Sequence, residues 1–185
     1  MAGLQTINII TDDYESAFNA TEHLIECGCK KIAYLSALTN LTTGIERIAG
    51  YQDALTKRGF IPNKQLIVKY EKDAEQNYEQ IKSLITAQKP DGIIASIEEL
   101  ALPCYHICKE LNLHIPGDVK MISFSNLNTA SLLNPSLTTI TQPAYEMGTN
   151  ASSILFKIMD KKQLEPDESI ILKSVLIKRE STSCV

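Results

Sequence analysis

The sequence lacks several features that define whole classes of protein. It has no run of about 18 or more apolar residues, the length that a membrane-spanning helix needs. Positive charge is not in excess, since 18 lysines and arginines face 22 aspartates and glutamates, which argues against a nucleic-acid-binding surface in this chain alone. We recognise no leader pattern in the first residues of the sequence, and we expect no internal repeat or low-complexity linker. The overall composition, 44% hydrophobic and 22% charged, is typical of a soluble protein. The length of 185 residues is enough for one domain or two closely joined lobes.

The cysteines are predicted to form neither a disulfide framework nor a metal site. There are five of them, an odd number. Cys27 and Cys29 are one residue too close for the usual zinc knuckle, and Cys104 and Cys108 share a predicted helix face without further ligands at workable spacing. We therefore predict free buried thiols in a reducing compartment, the cytoplasm, and no bound metal.

The sequence also lacks the residue patterns of an enzyme. It has no Ser-His-acid order, glycine-rich phosphate loop or metal motif. The paired acids Asp12-Asp13 and Glu98-Glu99 could transfer protons in principle. Both pairs stand at predicted helix starts, where carboxylates stabilise the helix dipole without any chemistry. We predict a protein that is not an enzyme and needs no cofactor.

Strand and helix signals alternate along most of the chain. Short apolar strands are predicted near residues 7–10, 32–35, 67–68, 93–95, 119–122 and 137–141. Helices are predicted between them, with Asp12 or Asp13 capping the first and Ser96 capping the one at 98–111. Alternation with short loops predicts an α/β fold whose mostly parallel sheet is flanked by helices on both faces.

One stretch, Ile115–Pro143, combines a turn, a buried strand, a loop and a second strand. The first of these strands ends in Ser123-Phe124-Ser125-Asn126, which places polar side chains at the carboxyl edge of a sheet. Open α/β sheets bind their ligands at this edge. The stretch therefore predicts one wall of a ligand site.

Five segments resemble one known family. They are HLIECGCKKIAYL, ERIAGYQDAL, PDGIIASIEELAL, LNLHIPGDVKMISFSN and NPSLTTITQPAYEMG, in family order and at family spacing. The chain resembles the effector-binding region of the lactose- and galactose-repressor family, with the purine repressor as a near relative. The resemblance implies a periplasmic-binding-protein-like fold of two lobes, a small-molecule cleft between them, and a helix-turn-helix domain that binds operator DNA.

The resemblance also implies how this chain divides. Residues 11–136 and 165–185 match a complete C-terminal lobe, residues 137–164 match part of a truncated N-terminal lobe, and the helix-turn-helix domain is absent from this chain. The segment after Pro143 should then expose an apolar face, including Ile154, Leu155 and Ile158. We expect it to be mobile or to pack against a second copy.

Effector contacts follow by matching positions. Arg47 matches the arginine that holds effector oxygens in several members, and its guanidinium is a planar fork of donors; the alternative is an ordinary solvated helix arginine. Thr43 matches a threonine that reaches the effector, although it could simply cap its helix. Asp12 matches an aspartate at the lobe crossover, where capping is its main expected role and ligand contact the second.

The chain departs from the family at other cleft positions. Ser125 replaces a frequent aspartate, which removes a charged hydrogen bond worth about 1.5–3 kcal/mol. Ile97 stands where an asparagine is common, and Leu41 replaces the arginine that reads a purine. We therefore expect a less polar cleft with Arg47 as its main fixed charge, and a larger, partly apolar or anionic effector derived from a sugar.

The resemblance further implies a homodimer, with Leu102, Tyr105, Leu132 and Leu133 at its interface. Each of these residues could instead belong to the core of its own lobe. Taken together, the sequence predicts the ligand-sensing and dimerisation region of a bacterial transcriptional regulator, in which a sugar-like effector shifts lobe orientation and so the spacing of the DNA-binding heads. The alternative is a periplasmic sugar-binding protein with the same fold.

Overall fold

The structure is a computed structural model that describes residues 7–37, 40–70, 73–160 and 169–183. Its strands are β1 Ile9–Thr11, β2 Ile32–Ser36, β3 Ile67–Lys69, β4 Gly92–Ala95, β5 Lys120–Phe124, β6 Thr138–Thr141, β7 Ile170–Leu172 and β8 Val175–Ile177. Its helices are α1 Asp13–Glu26, α2 Thr42–Lys57, α3 Ala74–Gln88, α4 Glu98–Glu110 and α5 Ala144–Met159. Short 3-10 turns cover Lys64–Leu66, Asn128–Leu132 and Glu180–Thr182.

The main sheet has six strands in the order β3-β2-β4-β5-β6-β8. All neighbours run parallel except β6 and β8, which are antiparallel. Parallel strands joined through helices place those helices on the faces of the sheet. The predicted fold class is therefore confirmed.

Both faces of the sheet are buried, which explains why its strands read as continuous apolar runs. Side chains alternate between the faces, so in β2 Ile32 and Tyr34 point to one face while Ala33 and Leu35 point to the other. The first face packs against α1 and α2, and the second packs against α3 and α4. The core is thus two apolar layers separated by the sheet.

The structure corrects the predicted division into lobes. The prediction that residues 137–164 belong to the N-terminal lobe is wrong for Leu137–Thr141, because Leu137 is buried in the core and β6 pairs with β5. The prediction that residues 165–185 all belong to the C-terminal lobe is wrong for β7, which pairs with β1 in a separate two-stranded sheet. Residues 161–168 of this division lie outside the described residues.

Helix α5 carries a largely uncovered apolar face. None of its residues is buried, and Leu155 and Ile158 are exposed as predicted, whereas Ile154 is half-buried. Tyr145 and Phe156 are exposed as well. Mobility of this segment, or its packing against a second copy, stays a prediction.

The cysteines follow the prediction only in part. Cys29, Cys104 and Cys108 are free and buried, and burial raises the pKa of Cys29 to about 12 and that of Cys108 to about 11. Such thiols stay protonated and unreactive. Cys27, however, is disulfide-bonded, so the prediction of a free thiol is wrong there.

Candidate ligand-binding cleft

A cavity of about 510 Å³ lies at the carboxyl edge of the main sheet, where β4 and β5 end. The N-terminal parts of α2 and α4 and the segment after β6 complete its walls. Four of the five predicted effector residues line it: Arg47, Thr43, Ser125 and Ile97. The other lining residues are Ser96, Glu98, Glu99, Phe124, Asn126 and Gln142. The structure therefore brings most of the predicted site residues together. That these residues contact an effector stays a prediction.

Arg47 is held on three sides and is only 3% exposed. Its Nε donates to Oδ1 of Asp13 at 2.7 Å, and its Nη1 donates to the carbonyl oxygen of Ser96 at 2.9 Å. The guanidinium carbon lies 3.7 Å from the centre of the Phe124 ring, a cation–π contact. The alternative of an ordinary solvated arginine is therefore wrong.

Asp13 was not predicted as a site residue, but it is the partner of Arg47. Its second oxygen, Oδ2, accepts from the Thr11 hydroxyl at 2.8 Å. The amide of Gln142 donates to the same Thr11 oxygen at 3.3 Å. These contacts connect the end of β1 to α2 and to the segment after β6, so both carboxylate oxygens of Asp13 are engaged.

Asp12 does not have its predicted capping role, and its contact with an effector stays a prediction. Its side chain makes no capping hydrogen bond to α1, and it does not line the cavity. Instead Oδ1 accepts from the backbone N–H of Ser174 at 2.8 Å and from the Ser16 hydroxyl at 2.9 Å. The backbone at Asp12 is not in the extended conformation that normally directs a capping side chain to the helix N–H groups. Asp12 therefore fixes the loop between β7 and β8.

The other predicted caps are wrong as well. Helix α2 begins at Thr42 with Leu41 in the capping position, so Thr43 lies inside the first turn, half-buried beside the cavity. The Ser96 hydroxyl accepts from the backbone N–H of Ala37 at 2.6 Å, and α4 has Ile97 in its capping position without a side-chain cap. At Ser96 a tertiary hydrogen bond has taken the place of the local one.

Polar groups after β5 are committed to the protein itself. Ser125 is 5% exposed, and its hydroxyl oxygen accepts from the N–H of Leu127 at 3.0 Å. The Asn126 amide donates to the carbonyl oxygen of Gln142 at 2.9 Å and accepts from the N–H of that residue at 2.8 Å. Ile97 packs partly against the core on the α3 and α4 side. This end of the cleft is rigid and partly apolar.

The predicted dimer residues fall into two groups. Leu102 and Leu132 are exposed, at 44% and 80%. Tyr105 and Leu133 are half-buried against the core, and the Tyr105 hydroxyl donates to the carbonyl oxygen of Pro135 at 2.9 Å. Tyr105 and Leu133 therefore have the alternative role, as part of the core of their own lobe. Leu102 and Leu132 are exposed and could contact a second copy.

The described residues contain neither a metal-binding cluster nor a membrane-spanning helix. No group of three or more histidines, cysteines or acids is arranged there to hold a metal ion. None of the helices in the described ranges is both long and apolar enough to cross a bilayer.

Comparison with known proteins decides the family. Residues 21–182 match the sequence model of the periplasmic binding protein-like domain. The chain belongs to this family. Among its curated relatives are transcription regulators of the lactose- and galactose-repressor type, as the resemblance implied.

Two of these regulators and one solved structure illustrate the likeness. Catabolite control protein A of Priestia megaterium is 32% identical over 88% of the chain and 49% of its own length. The regulator RegA of Clostridium saccharobutylicum is 28% identical over 95% of the chain and 53% of its own length. A sugar-binding regulator of the LacI family from Escherichia coli, solved with phosphate, has a TM-score of 0.81 and 27% identity, over 92% of this chain and 61% of that one. The chain thus spans about half the length of the curated relatives it matches.

Proposed function

We propose that this periplasmic binding protein-like chain is the ligand-sensing and dimerisation region of a bacterial transcriptional regulator. The relatives named above are regulators rather than enzymes or secreted binding proteins, which supports this function over a periplasmic sugar-binding protein. The full-length regulator binds operator DNA through a helix-turn-helix domain, acts in the cytoplasm where that DNA is, and works as a homodimer. Its effector is a sugar or a sugar derivative.

One observation carries the proposal. The buried guanidinium of Arg47 is fixed by Asp13, by the Ser96 carbonyl and by the Phe124 ring, and it faces a cavity at the carboxyl edge of the sheet. A fixed donor beside an aromatic face suits the alternating polar and apolar surfaces of a sugar. Because the donor is already ordered, an effector does not have to order it on binding.

Isothermal titration calorimetry of the full-length protein against a panel of neutral mono- and disaccharides tests the proposal. Arg47→Met should weaken binding of the best sugar by about tenfold or more, because a hydrogen bond from a charged donor is lost. Arg58→Met is the matched control, since Arg58 ends the same helix but pairs with Glu22 and Glu26 on the surface. Binding that is equal in wild type and Arg47→Met, or no binding of any sugar, contradicts the proposal.

The regulatory step is tested on operator DNA. With a fragment of the DNA upstream of the gene, the sugar found by calorimetry should change the affinity of the full-length protein, because an effector that prefers one lobe orientation shifts that equilibrium. Fluorescence anisotropy of labelled DNA with and without the sugar measures the change. An affinity that the sugar leaves unchanged contradicts an effector role.

A further inference from the structure

We propose that Asp13 is a specificity-determining residue, because its carboxylate neutralises Arg47 and thereby makes the cleft select uncharged over anionic effectors. This inference rests on the proposed function. Of the partly apolar or anionic effector expected from the sequence, it keeps the partly apolar alternative and replaces the anionic one. On sequence alone Arg47 is the main fixed charge of the cleft. In the structure that charge already has an internal counter-ion.

The pair is buried and fixed. The side chains of Arg47 and Asp13 are 4% and 8% exposed, and their Nε–Oδ1 distance is 2.7 Å. The Thr11 hydroxyl holds Oδ2, so the carboxylate is anchored at both oxygens and is not free to swing away from Arg47. Charges that are shielded from water act on one another more strongly than surface charges do. An anion that approaches the guanidinium therefore also meets the repulsion of the Asp13 carboxylate, whose Oδ1 lies 2.7 Å from Nε.

The other charged residues around the cavity are negative, like Asp13. Glu98 and Glu99 line the cavity, and Arg47 is the one cation among the lining residues in the described part of the chain. With Asp13 included, carboxylates outnumber cations at the site. Nη2 of Arg47 makes no hydrogen bond to any described residue, so its N–H groups can donate to a neutral hydroxyl. The cleft thus offers hydrogen bonds without a net positive charge.

Inorganic phosphate is the probe, titrated into the full-length protein at constant ionic strength while the Arg47 Nε–H resonance is followed by NMR. Wild type should show no saturable shift. Asp13→Asn, which preserves the shape of the side chain, should bind phosphate saturably, with an affinity about tenfold or more above the upper limit that the wild-type titration sets. The double variant Asp13→Asn/Arg47→Met should lose this gain in phosphate affinity. Calorimetry measures its binding, because the Arg47 resonance is absent.

Asp53→Asn is the matched control for net charge, because Asp53 accepts from Tyr14 at the exposed surface of α2 and does not line the cavity. It should not gain phosphate binding. A saturable wild-type shift overturns the proposal even if Asp13→Asn fails to fold, and a folded Asp13→Asn that gains no binding also overturns it. The effect of Asp13 on phosphate binding can be measured whether or not a sugar binds. A failure of this inference can therefore be told apart from a failure of the proposed function.

Discussion

Tyr34 and Tyr51 lie side by side in the core, with ring centres 5.2 Å apart and both side chains fully buried. Their hydroxyl groups differ. The Tyr51 hydroxyl donates to the carbonyl oxygen of Ile32 at 2.7 Å, whereas the Tyr34 hydroxyl has no hydrogen-bond partner among the described residues. The same chemical change at the two positions should therefore have different effects on stability.

Tyr51→Phe should lower the free energy of unfolding by about 1–2 kcal/mol, because it leaves a buried carbonyl without its donor. Tyr34→Phe should be neutral or slightly stabilising, since it removes a buried polar group that has no described partner. Urea denaturation of both variants measures the difference. Equal losses would show that the Tyr34 hydroxyl also has a partner, such as an ordered water.

For single residues, the sequence predicted where the cleft residues lie better than it predicted which residues they contact. Arg47, Thr43, Ser125 and Ile97 could be placed around one cleft because matching positions in a shared fold occupy matching places. The partner of Arg47 could not be predicted, because Asp13 is 34 positions away and its neighbour Asp12 is chemically identical. Which of two adjacent aspartates faces α2 depends on how α1 packs, and no local pattern contains that information.

Among the helices, α1 and α2 approach each other closely at Gly50. A Cβ atom built there would overlap the carbonyl oxygen of Tyr14 and lie 3.1 Å from the backbone nitrogen of Phe18. Backbone atoms within a helix move only if the whole helix moves. Gly50 therefore sets how closely the two helices pack.

Gly50→Ala should destabilise the protein by about 1–3 kcal/mol, because the overlap forces α1 and α2 apart. Gly148→Ala is the matched control: it is also a helical glycine, but a Cβ there meets nothing within 4 Å. It should be neutral or stabilise α5 by about 0.5–1 kcal/mol, since alanine favours the helix. Thermal unfolding compares the two, and a Gly50→Ala protein as stable as wild type would disprove the close approach.

A histidine connects α1 to the C-terminal 3-10 turn. His23 is buried, and its Nε2 lies 3.0 Å from the Thr182 hydroxyl, which in turn lies 2.8 Å from the Thr138 hydroxyl of β6. Burial, with a smaller effect of Lys178, lowers the pKa of His23 below its ordinary value of 6.5. The unfolded chain therefore binds a proton at His23 more readily than the folded protein does.

The lowered pKa of His23 determines how the free energy of unfolding changes with pH. Stability from the neutral His23 is fully present above pH 6.5 and is lost as the pH falls through 6.5 towards the lower pKa of the folded state. His23→Gln should flatten the decline of unfolding free energy between about pH 7.5 and 5.5. The control is His106→Gln, which removes an exposed histidine from α4. A slope that His23→Gln leaves intact would assign the decline to other groups.

The elements themselves were predictable, but some of their partners were not. The helix predicted at residues 98–111 is α4, Glu98–Glu110. Periodicity and turn residues determine such bounds locally. Strands β7 and β8 have similar sequences, yet one pairs with β1 and the other with β6. Strand pairing depends on the global fold, so the lobe boundaries were misplaced.

At the scale of the whole molecule, the described residues include two uncovered apolar regions that are candidates for self-association. One is the predicted dimer surface, where Leu102 and Leu132 are exposed, and the other is the face of α5 that includes Leu155 and Phe156. Contiguous exposed apolar surface often marks an interaction site. The two regions lie on different elements, so single substitutions can separate their contributions to self-association.

Leu132→Glu should weaken dimerisation by about tenfold or more, because a carboxylate without a partner would be buried in the interface. Ile61→Glu is the matched control, since Ile61 is also exposed, at 91%, but precedes β3 on another part of the surface. Sedimentation velocity over a range of concentrations measures the dissociation constant of each variant. Dimerisation that Leu132→Glu leaves unchanged, while Phe156→Glu abolishes it, would place the contact on α5 and disprove the predicted interface.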